Sequence, residues 1–116
     1  MTAKIFGIPN CDSIKKTIDW FKDNHIEYDF HNYKKDGIEK STLALWCKTV
    51  GWEMLFNKKG STWKKIAHEF ECISINEKLA IDIMLKNNSI IKRPVVVYQN
   101  EIIVGFDEEK LKTLGM

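Results

Sequence analysis

One cysteine stands where a thiol can be activated. Cys11 lies in Gly7-Ile8-Pro9-Asn10-Cys11-Asp12, directly after a short β-prone run and at the expected mouth of a helix. Free amide N–H groups and the positive end of the helix dipole gather at such a point, and both favour thiolate over thiol. Asp12 opposes this through its own charge, so a moderate lowering of the thiol pKa is expected. Position alone leaves Cys11 open between a nucleophile and a small buried apolar residue, the usual state of a free cysteine. No partner follows at CxxC spacing, because Cys11 is followed by Asp12, Ser13 and Ile14. Redox work at Cys11 therefore calls for a resolving thiol from elsewhere, either a small molecule or another cysteine of the chain. Cys47, in Leu45-Trp46-Cys47, and Cys72, after Phe70-Glu71, are expected as core or helix-face residues.

A second constellation is Arg93-Pro94. The chain has 18 basic residues, and Arg93 is the one arginine among them. Lysine cannot copy the planar donor fork of a guanidinium, which binds an oxyanion or carboxylate through two parallel hydrogen bonds. The alternative is a surface arginine ahead of a strand. A third feature is Asn57-Lys58-Lys59-Gly60-Ser61-Thr62-Trp63, a basic glycine-containing loop leading into a capped helix, where an anion can be held. Its residue order is not that of a P-loop, and most such loops are solvated turns. His25, His31 and His68 sit at no ligand spacing, so no metal site is expected.

The elements that must position these groups are legible from period and punctuation. Residues 3 to 8 read as a first strand stopped by Pro9, followed by a helix from about Cys11 to Asn24 with Asn10 as its N-cap. Ile14, Ile18 and Phe21 form its apolar stripe. Alternation of Ile26, Tyr28 and Phe30 marks a second strand running to Tyr33. From about residue 39 to about residue 86 the pattern is helical, with Ser41, then Ser61 or Thr62, then Asn76 as caps. Pro94 to Tyr98 is a β-branched run expected to be buried on both faces. A turn at Gln99-Asn100-Glu101 leads to a return strand at residues 102 to 104, and Asp107 caps a last helix through Leu111 and Leu114. Without its helical middle the order is β-α-β followed by a β-hairpin and helix, which by analogy is a thioredoxin-like α/β fold with a mixed sheet of about four strands. In such folds the bond before the proline is cis and its loop stands beside the first helix, which would bring Arg93 to Cys11.

The bulk composition narrows the remaining possibilities. The 116 residues suffice for one domain, and a net charge of +2 gives no ground for a nucleic-acid or membrane-surface partner. No apolar run approaches the ~18 residues of a membrane span, and the N-terminal run is too short for a signal peptide, so a cytoplasmic location is expected. Three cysteines do not make a disulfide framework and are expected as free thiols.

Three segments taken together, Gly7–Asp12, Phe56–Trp63 and Ile91–Val96, resemble the ArsC/Spx superfamily and its arsenate-reductase-like, YffB-type subgroup. The resemblance covers essentially the whole chain. In the glutathione- and glutaredoxin-coupled arsenate reductases of that superfamily, one cysteine attacks arsenate within a ring of three arginines. The cysteine maps onto Cys11 and the arginine before the cis-proline onto Arg93, while the other two positions hold Asn57 and Gly105. Each missing guanidinium removes charge-assisted hydrogen bonds worth ~1.5–3 kcal/mol, for which Lys58 and Lys59 substitute only as point charges. The resemblance thus implies a monothiol, glutathione-dependent thiol or disulfide reductase with Cys11 and Arg93 as its catalytic pair. Asn10, Asp12, Asn57, Lys58, Lys59 and Pro94 would line the substrate. It implies no bound cofactor, a partner that is glutathione or a similar small thiol, with glutaredoxin in the arsenate-reducing branch, and a monomer. Two alternatives stay open: a glutaredoxin-coupled arsenate reductase, and an Spx-like regulator that binds RNA polymerase. Ile14 occupies the second cysteine position of the Spx redox pair, so that mode of oxidation sensing is not available.

Overall fold

The computed structural model describes residues 2–115. It consists of two compact units: the described part of Met1–Asp36 together with Arg93–Met116, and Gly37–Lys92.

The first unit holds a four-stranded mixed sheet. Strand β1 (Ala3–Gly7) is followed by helix α1 (Asp12–Asp23), strand β2 (Tyr28–Asn32) and a single helical turn, α2 (Tyr33–Asp36). The sheet order is β2-β1-β3-β4, where β3 and β4 are the two late strands Val95–Tyr98 and Glu101–Val104. β1 runs parallel to β2 and antiparallel to β3, and β3 and β4 form a hairpin. A parallel pair needs a crossover, which α1 supplies; an antiparallel pair needs only a tight turn, at Gln99 and Asn100. This is the thioredoxin-like arrangement. Ala3, Ile5 and Val96 from the sheet meet Ile14 and Phe21 of α1, with Ile103 and Leu111 completing the core. α1 buries Ile14, Thr17 and Phe21 at helical spacing, and the Thr17 hydroxyl donates to the Ser13 carbonyl at 2.7 Å, satisfying the buried polar atom.

The second unit is helical: α3 (Lys40–Val50), α4 (Trp52–Leu55), α5 (Ser61–Ile66) running into a 3-10 turn at Ala67–Phe70, α6 (Glu77–Lys86), and a 3-10 turn at Asn88–Ile90. Its core gathers Leu43, Trp46 and Cys47 of α3, Leu55, and Ala80, Ile81, Ile83 and Met84 of α6. The Asn57 N–H donates to the Ile90 carbonyl and the Lys92 N–H to the Leu55 carbonyl, both at 2.8 Å, which fixes the basic loop to the segment leading to Arg93.

Several expected boundaries move. The N-cap of α1 is Cys11 itself, and Asn10 instead takes a left-handed conformation with φ 65°, which asparagine tolerates better than most residues. Glu39 and Gly60, not Ser41 and Ser61 or Thr62, flank α3 and α5, and neither makes a side-chain cap. Tyr33 leaves β2 to open α2. Glu101 belongs to β4 and not to the turn, and β3 is buried at Val95 and Val96 but only half-buried at Val97 and Tyr98. Cys72 sits exposed in a turn after the 3-10 segment, whereas Cys47 is buried in α3 as expected. Asn76 and Asp107 do cap: their side chains accept from the N–H of Leu79 at 2.9 Å and of Lys110 at 3.1 Å. Asp107 caps α7 (Glu108–Lys112), which ends before Leu114.

Candidate active site

Cys11 is set in place by the tight passage from β1 to α1. A Cβ on Gly7 would overlap Ile14 Cδ1, so the bare glycine lets the first turn of α1 press against the end of β1. Pro9 and the left-handed Asn10 then turn the chain into the helix. Cys11 ends up half-buried at the N-cap, with φ −114° and ψ 132°. Asn, Asp or Ser is the usual occupant of that position because its oxygen accepts from the helix N–H groups. A neutral thiol is a poor acceptor from such N–H groups. A thiolate is a good one.

The electrostatics follow from that placement. Burial pushes the Cys11 thiol up, but four opposing influences outweigh it: the Ile14 N–H, a hydrogen bond from Arg93, the Ser13 N–H and the charge of Arg93. The net pKa is lowered from the ordinary thiol value. Arg93 precedes Pro94 across a cis peptide bond, and Pro94 is itself buried at the head of β3. The Pro94 carbonyl accepts from the Gly105 N–H at 2.7 Å. Arg93 also acts on Tyr33, whose hydroxyl is kept protonated by burial against the pull of the guanidinium charge. The Tyr33 ring is fully buried and stacks on Phe6 at 6.4 Å between centroids.

The sulfur opens onto a cleft of about 610 Å³, within the usual range for a small-molecule site. Asn10 and Asp12 line it, as expected from the sequence, together with Pro9, Ile14, Lys15, Ile18, Asp19, Lys22 and Phe30. Lys15, Asp19 and Lys22 are lining residues to which the sequence reading assigns no role. The signal that could have found them is spacing: Cys11, Lys15, Ile18 and Lys22 recur at intervals of four, three and four, which is one face of a helix.

Asn57, Lys58 and Lys59 belong to the second unit. They line a separate recess of about 320 Å³ with Glu53, Phe56 and Lys92. The Asn57 side chain accepts from the Lys59 N–H at 3.1 Å, closing the loop on itself, and the Lys58 ammonium stands 5.8 Å from the Trp52 ring centroid. The structure thus joins Cys11, Asn10, Asp12, Arg93 and Pro94 in one unit and groups Asn57, Lys58 and Lys59 in the other.

The chain is 34% identical to the YffB protein, with 97% of each chain covered and a TM-score of 0.91. It is 38% identical to an arsenate reductase (ArsC) related protein from Brucella melitensis, covering 97% of this chain and 92% of that one, with a TM-score of 0.77. A Global transcriptional regulator Spx 2 of Lactococcus lactis is 30% identical over 110 residues, 93% of this chain and 82% of its own. The ArsC family model matches residues 6–114, and the chain belongs to the ArsC family.

Proposed function

We propose that the protein is a monothiol oxidoreductase that reduces disulfides with glutathione, using Cys11 as nucleophile and Arg93 to hold its thiolate. One observation carries this reading: a cysteine at the N-cap of a twelve-residue helix, hydrogen-bonded by Arg93, with its thiol pKa lowered and a cleft in front of it. The Cys11 thiolate attacks one sulfur of a disulfide, a new Sγ–S bond forms and the old S–S bond breaks. The other half leaves as a thiolate and takes a proton from water. A glutathione thiolate then attacks the substrate sulfur of the mixed disulfide, forming a glutathione–substrate disulfide and releasing the Cys11 thiolate, and a second glutathione reduces that disulfide to the free thiol and oxidised glutathione. Electrons pass from glutathione to substrate, and the protein returns unchanged.

Arg93 is the one guanidinium in the chain, so the three-arginine oxyanion ring of coupled arsenate reduction has two vacancies in sequence, at Asn57 and Gly105. That favours a disulfide over arsenate. The likeness to the Lactococcus regulator supports a second, regulatory reading. A dithiol switch at this loop would need a second sulfur in place of Ile14, which is 3% exposed and packed beneath Gly7. Incubation with oxidised glutathione followed by peptide mass mapping tests the catalytic reading. A glutathione adduct on Cys11, released by reduced glutathione and absent in Cys11→Ser, is expected. An unmodified Cys11 refutes it.

A further inference from the structure

The residues that line the cleft in front of Cys11 all fall between Pro9 and Phe30, and Arg93 meets the sulfur without being one of them. The floor of the cleft is apolar. Ile14 and Ile18 stand four residues apart on one face of α1, and Phe30 of β2 and Pro9 line the cleft with them. Cys11, Ile18 and Phe30 are half-buried and pack against the core of the first unit, so fixed side chains back this surface. The rim is charged but balanced. Asp12, Lys15, Asp19 and Lys22 are all exposed and alternate in sign along α1 at spacings of three, four and three residues. Neighbours of opposite sign lie about 4.5–6 Å apart along the helix axis, inside the screening length of ~8 Å at physiological salt. Their fields cancel over the cleft, and two negative charges against two positive ones leave it no net sign.

A charged ligand gains from one rim residue what it loses to the next. An apolar body gains from the floor, at roughly fourfold in affinity for each buried CH₂ group. Selection in this cleft therefore runs on apolar volume and not on charge. Resting on the reductase reading above, we propose that the α1 cleft is the substrate subsite for the uncharged, apolar body of an organic thiol, held while its sulfur is bonded to Cys11. The substrate class is a disulfide with at least one alkyl or aryl half. Cys11 attacks the sulfur of that half, an Sγ–S bond forms and the old S–S bond breaks. The other half leaves as a thiolate and takes a proton from water. Ile18 and Phe30 decide which of the two sulfurs is attacked, because only the apolar half gains by lying against them.

The test uses methanethiosulfonates, which transfer their RS group to a thiolate with methanesulfinate as leaving group, so only the half retained on cysteine changes. The methyl, benzyl, 2-sulfonatoethyl and 2-(trimethylammonio)ethyl reagents are each given to the full chain. Modification of Cys11 and Cys72 is followed in the same samples by quenched peptide mass mapping. Cys72 is exposed in a turn of the second unit and corrects for the intrinsic reactivity of each reagent. The readout is the benzyl-to-methyl rate ratio at Cys11 divided by that at Cys72. Partial burial of the ring, equivalent to about two CH₂ groups, puts this corrected ratio at roughly tenfold or more. The two ionic reagents, treated in the same way, both stay below benzyl. Ile18→Thr keeps the branched shape, makes the floor polar and lowers the corrected ratio roughly threefold or more. Phe30→Leu lowers it as well, which separates loss of the floor from a folding defect of one variant. Lys16→Gln, on α1 outside the cleft, leaves it within about twofold. A parent ratio within about twofold of unity, or a ratio that survives both floor variants, overturns the apolar subsite. An ionic reagent that exceeds benzyl overturns the uncharged assignment. The reductase reading fails separately: if oxidised glutathione leaves Cys11 unmodified while the benzyl ratio stays high, that reading falls and the preference of the cleft for an apolar thiol body stands.

Discussion

Replacing Arg93 by alanine removes two of the four influences that lower the Cys11 pKa, the hydrogen bond and the charge, and leaves the N–H groups of Ile14 and Ser13 against the cost of burial. A hydrogen bond to a charged partner is worth ~1.5–3 kcal/mol when shielded from water. Cys11 and Arg93 are both half-buried, so solvent screening reduces this to about 1 kcal/mol. The Cys11 pKa in Arg93→Ala should therefore rise, and about 1 kcal/mol corresponds to roughly a fivefold fall in the thiolate fraction at a pH below it. Arg93→Lys keeps the charge and loses the fork, and should fall between the two. The assay is the rate of iodoacetamide alkylation against pH, in a Cys72→Ser background because Cys72 is exposed and would also react. Cys47 is buried and its thiol is pushed up to about 11, so it stays silent over the working range. In a pH range below both pKa values the thiolate fraction drops roughly fivefold, and the higher intrinsic nucleophilicity of the more basic thiolate recovers part of that. The inflection is therefore a cleaner readout than the rate. Parent and Arg93→Ala curves with the same inflection, or a parent curve centred at the ordinary value of ~8.5, would refute the coupling between these two residues.

Two further predictions concern the scaffold. Gly7→Ala places a methyl group against Ile14 and overpacks the junction of β1 and α1; a cost of about 1–3 kcal/mol is expected, and an unaltered thermal midpoint would contradict the packing described. Cys47 gives a pH signature of opposite sign to that of Cys11. Its folded pKa of about 11 exceeds the unfolded value of ~8.5, so between those limits the unfolded chain loses the proton and the native state keeps it. Native stability therefore falls across that window by up to ~1.4 kcal/mol per pH unit, and denaturation curves of Cys47→Ala should lack this component. Curves for parent and variant that run parallel through the window would contradict it.

What sequence disclosed and what it concealed divide along a physical line. The caps at Asn76 and Asp107 were legible because each is a contact between neighbours three residues apart. The β-α-β unit and the following hairpin were legible because a parallel crossover and a hairpin have different connection lengths. The starts of α1, α3 and α5 were misplaced because polar residues able to cap stand next to the residues that occupy the N-cap position, and local chemistry does not choose between them. Asn10 was the sharpest case: its tolerance of positive φ was used in place of its capping ability. At the site, position alone left Cys11 open between a nucleophile and a buried apolar residue, and its pairing with Arg93 rested on fold analogy, since over eighty residues separate them. Lys15, Asp19 and Lys22 of the cleft drew no role from sequence because exposed charges on a helix are usually solvated. Phe30 of β2 lines the cleft with them, and no single-helix pattern contains it.

The most direct measurement is steady-state reduction of a small mixed disulfide by glutathione, with oxidised glutathione recycled through a coupled NADPH assay. Cys11→Ser should be inactive, and Cys47→Ala and Cys72→Ser should retain turnover with ping-pong kinetics. Turnover in Cys11→Ser equal to that of the parent chain would contradict the assignment of Cys11 as the nucleophile.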